Sequence, residues 1–134
     1  PYVLENLNRF LKRREPWRGY GLCGLEGAVH AHLDGPAHAP HMECDYRPRD
    51  PSRFRFVLPS DDALLRVHTV DDAAPPRFRR LLEAFGEVSG LPLLVNTSFN
   101  GFHEPIVCSP RDAVRVFYGS GIDLLVMQQF VLWK

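Results

Sequence analysis

The chain has 134 residues, 45 % of them hydrophobic and 24 % charged, which is the composition of an ordinary globular protein able to build its own core. Its formal net charge at pH 7 is zero, so no excess of basic residues points to nucleic acid. No apolar run has the length of a membrane span, and the three cysteines lack paired spacing. We therefore predict a cytoplasmic protein with reduced thiols and with neither a membrane nor a nucleic-acid partner.

The chain opens with apolar residues spaced as one face of a helix, which we predict over residues 3–15. Its basic end, Lys12, Arg13 and Arg14, suits a helix C-terminus, and Pro16 is expected to stop the helix. For Arg13 we expect a solvated side chain that compensates the helix dipole.

Residues 22–33 are expected to contain a strand on which His30 and His32 share a face. His38 and His41 follow in a loop rich in Gly and Pro, and four histidines this close raise the question of zinc. Because no Cys or carboxylate completes a convincing ligand spacing, we predict loop histidines and no metal site.

Further strands are predicted over residues 42–46, 54–58 and 64–70. The clearest helix opens at Pro75 and Pro76 and is expected to end at Gly90. Its apolar stripe should be core, packed on a sheet that contains residues 91–95 and 124–127. The stripe comprises Phe78, Leu81, Leu82, Phe85 and Val88.

A second helix should start at Ser109, with Asp112 in its first turn, and end near Gly119. Residues 124–127 read as a last buried strand, either extended or hairpinned into residues 130–133. Strands and helices thus mix irregularly, which predicts an α/β or α+β layered fold and a single domain over residues 1–134. Because the sequence starts at Pro1 rather than Met, we expect it to be trimmed or cut from something longer.

The stretch over residues 90–109 organises the functional interpretation. An apolar run, residues 91–95, breaks into Asn96, Thr97 and Ser98, as a buried strand does when it enters a polar loop. Loops at the carboxyl ends of strands commonly bind ligands in open α/β sheets, and amide and hydroxyl groups can bind phosphate or carbamoyl groups. An ordinary turn rich in Asn and Ser is the alternative.

Three motifs carry a family resemblance: NTSFN at residues 96–100, EPIVCSP at residues 104–110, and Asp112-Ala113. They resemble the NTSFN–GEPIV–PEDA signature of O-carbamoyltransferases from nodulation-factor and antibiotic pathways. Upstream, Asn8, Lys12, Arg14-Glu15 and Trp17-Arg18 resemble the family's N-x-x-I-K-x-R-E-x-F-R segment. The resemblance implies the family's C-terminal, YrdC-like domain, a twisted mixed sheet flanked by helices.

The resemblance also implies a chemistry. Such a domain is expected to bind ATP with Mg²⁺ and carbamoyl phosphate, and to form a carbamoyl-adenylate. A separate metal-binding domain then passes the carbamoyl group to a hydroxyl of a small-molecule natural product. The residues implied as catalytic are Lys12, Arg18, Asn96 and Ser98.

The expected ligand-binding residues include those four together with Arg14, Arg66 and Asn100. Arg66 resembles the arginine of the family's A-R-V-Q-T-V strand, although an exposed strand arginine is the alternative. We expect Lys12, Arg18, Arg66, Asn96 and Ser98 to line one pocket. Catalysis would come from positioning and charge neutralisation, because the only nucleophile to consider, Cys108, is predicted to be a buried strand thiol.

Departures from the family keep two other hypotheses open. The prolines of the family's F-R-P-F-A-P are lost at residues 17–22, and His103 stands where the family has Gly before Glu-Pro-Ile-Val. The metal domain and the segment before the first helix are also missing, so the chain is expected to be a fragment or to need a partner. Alternatively, it is a stand-alone relative that acts on another small molecule with His103 and Glu104 as acid–base pair, or a non-catalytic binding module.

Overall fold

A computed structural model describes residues 3–134, which form two compact units. The first unit is Gly19–Thr97; the second combines residues 3–18 with Ser98–Lys134. The predicted organisation as one domain stays a prediction. In chain order the helices and strands are α1 (Val3–Asn6), β1 (Gly21–Leu25), α2 (Glu26–His32), β2 (Leu33–Asp34), β3 (Asp45–Pro48), β4 (Leu65–Val70), α3 (Pro76–Ser89), β5 (Leu93–Asn96), α4 (Pro110–Gly119), β6 (Leu124–Met127) and β7 (Phe130–Trp133).

The first unit is built on a mixed sheet. Within the described residues its strand order is β2-β3-β4-β1-β5. Strands β1 and β4 are parallel, whereas the pairs β2–β3, β3–β4 and β1–β5 are antiparallel. Parallel pairing needs a crossover, and the chain between β1 and β4 supplies it.

Helices pack on this sheet from both sides, because successive side chains of a strand point to opposite faces. Leu22 of β1 is buried in one core with Val29 of α2, and the next residue, Cys23, is buried in another core with Leu82 of α3. Burial raises the pKa of the Cys23 thiol to about 11. The predicted fold class, a mixed α/β sheet flanked by helices, is confirmed.

Helix α3 and its end at Gly90 are confirmed, but its core stripe is narrower than predicted. Leu82 is fully buried, whereas Leu81 is 54 % and Val88 89 % exposed. The helix meets its neighbours along Phe78, Leu82 and Gly86, which are four residues apart and share one face. A Cβ at Gly86 would lie 2.6 Å from the side chain of Pro92, so the glycine allows this close approach.

Two predicted strands of the first unit are wrong in place or kind. Residues 54–58 form no strand: a short 3-10 helix, Pro51–Phe54, is followed by a turn in which Val57 N–H donates to Phe54 O. Phe54, Val57 and Leu58 are buried all the same, so the apolar pattern marked burial rather than a strand. The strand predicted over residues 42–46 begins only at Asp45, and Met42 has a left-handed backbone with φ 59°, outside the range of a strand.

The second unit has its own small core. In α4, Ser109 is the predicted N-cap, and it forms a capping box with Asp112 in which each side chain bonds the other's backbone N–H. The helix packs Ala113 and Phe117 against Leu125 of β6. Strands β6 and β7 pair as a hairpin, one of the two predicted arrangements, in a sheet of their own. The prediction that residues 124–127 share a sheet with residues 91–95 is therefore wrong.

Strand β6 is not the buried strand that was predicted over residues 124–127. Leu124 and Val126 are exposed, as are Val131 and Trp133, which face them across the pairing register. The other face packs on α4, so both faces of the hairpin are apolar and one of them is open. Among residues 3–134, no helix has the length and apolar character needed to span a membrane.

Candidate functional site

The opening helix ends earlier than predicted and in an unexpected way. After α1 the chain continues as a π-helical segment, Leu7–Lys12, and Arg13 turns out of it with a left-handed φ of 48°. Pro16, the predicted stop, lies beyond this turn. π-helical turns are rare and frequently accompany functional sites.

A buried asparagine holds the turn that follows. Asn8 is fully buried, and its Nδ2 donates to the carbonyl oxygens of Pro16 at 3.2 Å and Arg18 at 2.8 Å. Its Oδ1 accepts from Arg14 Nε at 2.7 Å, and its backbone carbonyl accepts from Arg14 N–H at 3.0 Å. The basic segment is thus wrapped around one amide side chain.

Lys12 connects this segment to the NTSFN motif. Its Nζ donates to Ser98 O at 2.8 Å, to Ser98 Oγ at 3.2 Å and to Asn100 Oδ1 at 2.7 Å. Ser98 Oγ gives its own proton to Asn100 Oδ1 at 2.7 Å, so the hydroxyl must accept from Lys12. Three acceptors require three N–H groups, which only the charged ammonium has.

Two influences on Lys12 oppose each other. Burial, and then the positive charges of Arg14 and Arg18, lower the pKa of the Lys12 ammonium. The three oxygen acceptors favour the charged form. An anion placed beside Lys12, Arg14 and Arg18 would relieve the repulsion among these cations.

The loop of the NTSFN motif is held by its second asparagine. Asn100 Nδ2 donates to Gly101 O at 3.1 Å and Glu104 O at 2.9 Å, while its Oδ1 accepts from Lys12 and Ser98. The carboxylate of Glu104 pairs with Arg115 of α4, which lowers the pKa of Glu104. A carboxylate held ionised by an arginine is a poor proton acceptor, so the geometry does not favour Glu104 as the base of an acid–base pair.

These elements enclose a pocket of about 510 Å³ in the second unit. This volume lies within the usual range for small-molecule sites. Four cationic side chains and one carboxylate line it, with an aromatic rim in which the rings of Phe102 and His103 lie 4.0 Å apart. The lining is Lys12, Arg13, Arg14, Glu15, Arg18, Ser98, Asn100, Gly101, Phe102 and His103.

The structure brings together five of the seven residues predicted for the site: Lys12, Arg14, Arg18, Ser98 and Asn100. Arg66 and Asn96 belong to the first unit. Arg66 is exposed on β4, and Asn96 ends β5 with its Nδ2 3.3 Å from Met42 Sδ. That these two join the other five in one pocket stays a prediction.

Two further predictions need correction. Cys108 is neither buried nor on a strand: it is exposed in the loop before α4, with its Sγ 3.5 Å from Asp112 Oδ2. His30 and His32 lie on α2 rather than on a strand, and two residues apart on a helix they do not face each other.

The histidines have separate partners. His30 Nε2 lies 2.9 Å from Ala37 O, and His38 Nδ1 lies 2.6 Å from Glu26 Oε1. Within residues 3–134, no three His, Cys, Asp or Glu side chains are grouped so as to hold a metal ion. The prediction that the chain has no metal site stays a prediction.

A larger pocket in the first unit is unsuited to a polyanion. It measures about 850 Å³ and is lined by the carboxylates of Glu26, Asp71, Asp72 and Glu83, with Arg79 among them. Arg79 already pairs with Asp72. Carboxylates repel phosphate, so charge rather than volume selects the pocket at Lys12.

Sequence reasoning missed the role of Asn8. It noted Asn8 only as part of a motif, whereas the structure makes it the residue around which Arg14 and Arg18 are arranged. The available signal was a polar amide among the apolar residues Leu4, Leu7 and Leu11 of the opening helix. Asn is unfavourable in a helix interior unless its side chain bonds a specific partner.

A family model and several curated proteins match this chain. The family model described as the carbamoyltransferase C-terminus matches residues 1–134. The nodulation protein NolO of Bradyrhizobium diazoefficiens is 31 % identical over 134 residues, which cover 97 % of this chain and 24 % of NolO. The 3'-hydroxymethylcephem-O-carbamoyltransferase of Amycolatopsis lactamdurans is 34 % identical over 126 residues, covering 92 % of this chain and 23 % of that enzyme.

An uncharacterized protein of Synechocystis, sll1178, is 45 % identical over 73 residues, or 54 % of this chain and 12 % of that protein. The chain therefore spans a quarter or less of the length of these curated relatives.

Proposed function

The chain belongs to the carbamoyltransferase family as its C-terminal domain, and from that premise we propose that it binds ATP, as its Mg²⁺ complex, together with carbamoyl phosphate. In this proposal water hydrolyses carbamoyl phosphate to carbamate and inorganic phosphate, and a carbamate oxygen attacks the α-phosphorus of ATP, which forms carbamoyl-adenylate and releases pyrophosphate. The carbamoyl group then goes to a hydroxyl of a small-molecule natural product, and AMP leaves. The known carbamoyltransferase among its relatives supports a transferase role.

The observation that carries the proposal is the cationic pocket of the second unit. Lys12, Arg14 and Arg18 converge there with Ser98 and Asn100, although these residues come from the two ends of the chain. A reaction between two polyanions needs their charges neutralised and their reacting groups oriented before any bond changes.

Each residue has a role that follows from its contacts. Arginine suits phosphate because its planar fork donates two parallel hydrogen bonds, so Arg14 and Arg18 are the proposed phosphate ligands. Lys12 donates its three N–H groups to Ser98 and Asn100. Its role is therefore to fix the NTSFN loop and to supply positive charge. Ser98 orients the carbamoyl group. Asn96 and Arg66, which belong to the first unit, remain proposed ligand residues.

A separate metal-binding transfer domain is the proposed partner. Three quarters or more of the length of the curated relatives lies outside the region matched here, which leaves ample chain for such a domain. The free thiols of Cys23, Cys44 and Cys108 support action in a reducing, cytoplasmic compartment.

Calorimetric titration and thermal unfolding with Mg-ATP test the proposal. ATP at a hundred times its Kd should stabilise the protein by about 2.7 kcal/mol. Arg18→Ala should remove most of that stabilisation, whereas Arg9→Ala should not. Arg9 is the matched control, because it lies on the same segment outside the pocket and pairs only weakly with Glu5, at 4.0 Å.

Binding of carbamoyl phosphate is the second test of the proposal. Ser98→Ala should weaken binding of carbamoyl phosphate more than binding of ATP, and pyrophosphate release from ATP should depend on carbamoyl phosphate. The absence of any calorimetric or thermal response to millimolar Mg-ATP in the wild-type protein would rule out the adenylation proposal.

A further inference from the structure

The segment that carries Arg14 and Arg18 is hydrogen-bonded to a buried side chain, Asn8. In the part of the chain that the structure describes, the buried polar side chains are Asn8 and Thr69, and Thr69 bonds the backbone of Ala39 within the first unit. All three side-chain hydrogen bonds of Asn8 are made to the segment that carries Arg14 and Arg18. A buried amide is tolerated only where its N–H and C=O groups are hydrogen-bonded, and this segment supplies those partners.

The three side-chain bonds of Asn8 constrain the two arginines in different ways. Nε lies in the plane of the guanidinium, so the bond from Arg14 Nε to Asn8 Oδ1 fixes the plane in which Arg14 can donate. The bond from Asn8 Nδ2 to Arg18 O fixes the backbone from which the Arg18 side chain extends. The bond to Pro16 O holds the chain between them.

The turn that carries the arginines has other contacts, but they are exposed. Arg13 enters the turn in the left-handed conformation, with φ 48°, which is unfavourable for a residue with a side chain. Arg18 N–H donates to Glu15 O at 3.2 Å, and the Arg18 guanidinium lies 3.9 Å from the Glu15 carboxylate, with both side chains more than half exposed. Exposed ion pairs contribute little, so the buried Asn8 is the internal support of the turn.

We propose that Asn8 is the positioning residue of the anion pocket, and that it sets the affinity for phosphate groups through Arg14 and Arg18 without touching the ligand. This inference rests on the proposed function to the extent that the pocket binds polyphosphate. It adds a residue whose contribution to affinity is indirect and therefore separable from charge.

The test replaces Asn8 with leucine, which has a similar size and no charge. The dissociation constants of Mg-ATP and of inorganic tripolyphosphate are measured by calorimetry for the wild type and for Asn8→Leu. We expect both constants to rise at least tenfold. Leu125→Ala is the matched control, because it damages the core of the same unit: it should lower the unfolding temperature while changing both constants less than twofold.

A double-mutant cycle separates positioning from general damage. In an Arg14→Ala/Arg18→Ala background, Asn8→Leu should weaken tripolyphosphate less than threefold, since the groups it positions are gone. An equal loss in both backgrounds, or affinity within twofold of wild type for Asn8→Leu, would overturn the inference while leaving ATP binding intact.

A measurement on the wild type covers the case in which Asn8→Leu does not fold. The side-chain amide protons of Asn8 and the Nε proton of Arg14 should exchange slowly in NMR spectra and shift when tripolyphosphate is added. Rapid exchange or unshifted signals at saturating tripolyphosphate contradict the inference. If wild type binds tripolyphosphate but not ATP, the proposed function fails and the Asn8 test still stands; if it binds neither, both fail.

Discussion

Replacing Lys12 with methionine gives the sharpest test of how the second unit is held together. Methionine keeps the length and the apolar stem of the side chain but removes the three N–H donors that reach Ser98 and Asn100. The two contacts to Ser98 are exposed, so each is expected to contribute at most about 1 kcal/mol. The contact to Asn100 is partly buried and charge-assisted, and is expected to contribute about 1.5 kcal/mol.

These contributions predict a loss of about 1.5–3.5 kcal/mol in the free energy of unfolding. Urea denaturation measures the total, and hydrogen exchange should show residues 98–104 exchanging faster. Lys12→Arg should recover only part of the loss, because a planar guanidinium cannot match three acceptors arranged around one nitrogen.

Arg9→Met is the control for loss of a positive charge from the same segment. Its side chain is 69 % exposed, so its unfolding free energy should stay within about 0.5 kcal/mol of wild type. If Lys12→Met has the same free energy of unfolding as Arg9→Met, the three hydrogen bonds of Lys12 do not stabilise the protein as argued.

Three other predictions follow from single residues. Leu82→Ala should cost about 2–5 kcal/mol in unfolding free energy, because Leu82 is fully buried; a loss below about 0.5 kcal/mol would contradict its place in the core. His103→Gly should gain about 0.5 kcal/mol, since His103 holds a left-handed φ of 55°, and His103→Val should lose stability in the same denaturation assay. Glu26 raises the pKa of His38 above its ordinary 6.5, so this pair should stabilise the fold fully below pH 6.5 and stop doing so as pH rises through the pKa in the folded state. NMR titration should find the His38 pKa nearer 6.5 in Glu26→Gln, and an unchanged value would count against the pair.

The features that sequence predicted well depend on neighbours along the chain. The start of α4 needs only an N-cap at Ser109 and an acidic residue, Asp112, in the first turn, and the end of α3 needs a residue able to adopt the φ of 69° found at Gly90. Such signals act over three or four residues, so they can be read without knowing the rest of the fold.

The features that the sequence did not predict depend on partners distant in the sequence or on how much of a helix surface packs against its neighbours. Leu81 and Val88 fit an apolar stripe, but the face of α3 that packs runs through Gly86, which no hydrophobicity pattern would select. The contact between Lys12 and Ser98 spans 86 positions. Both residues were predicted for the site through family motifs, because nothing in the local periodicity of either segment points to the other.

The origin of the second unit from both ends of the chain has a consequence for biosynthesis. Lys12 leaves the ribosome 86 residues before its partner Ser98, a delay of roughly 4 to 17 s at usual rates of translation. Only at the end of that interval has the chain supplied every strand of the five-stranded sheet described here, and until then the basic opening segment lacks the loop that Lys12 binds. The cationic pocket therefore cannot form before Ser98 has been made, and a nascent chain stopped before Ser98 should have no anion site.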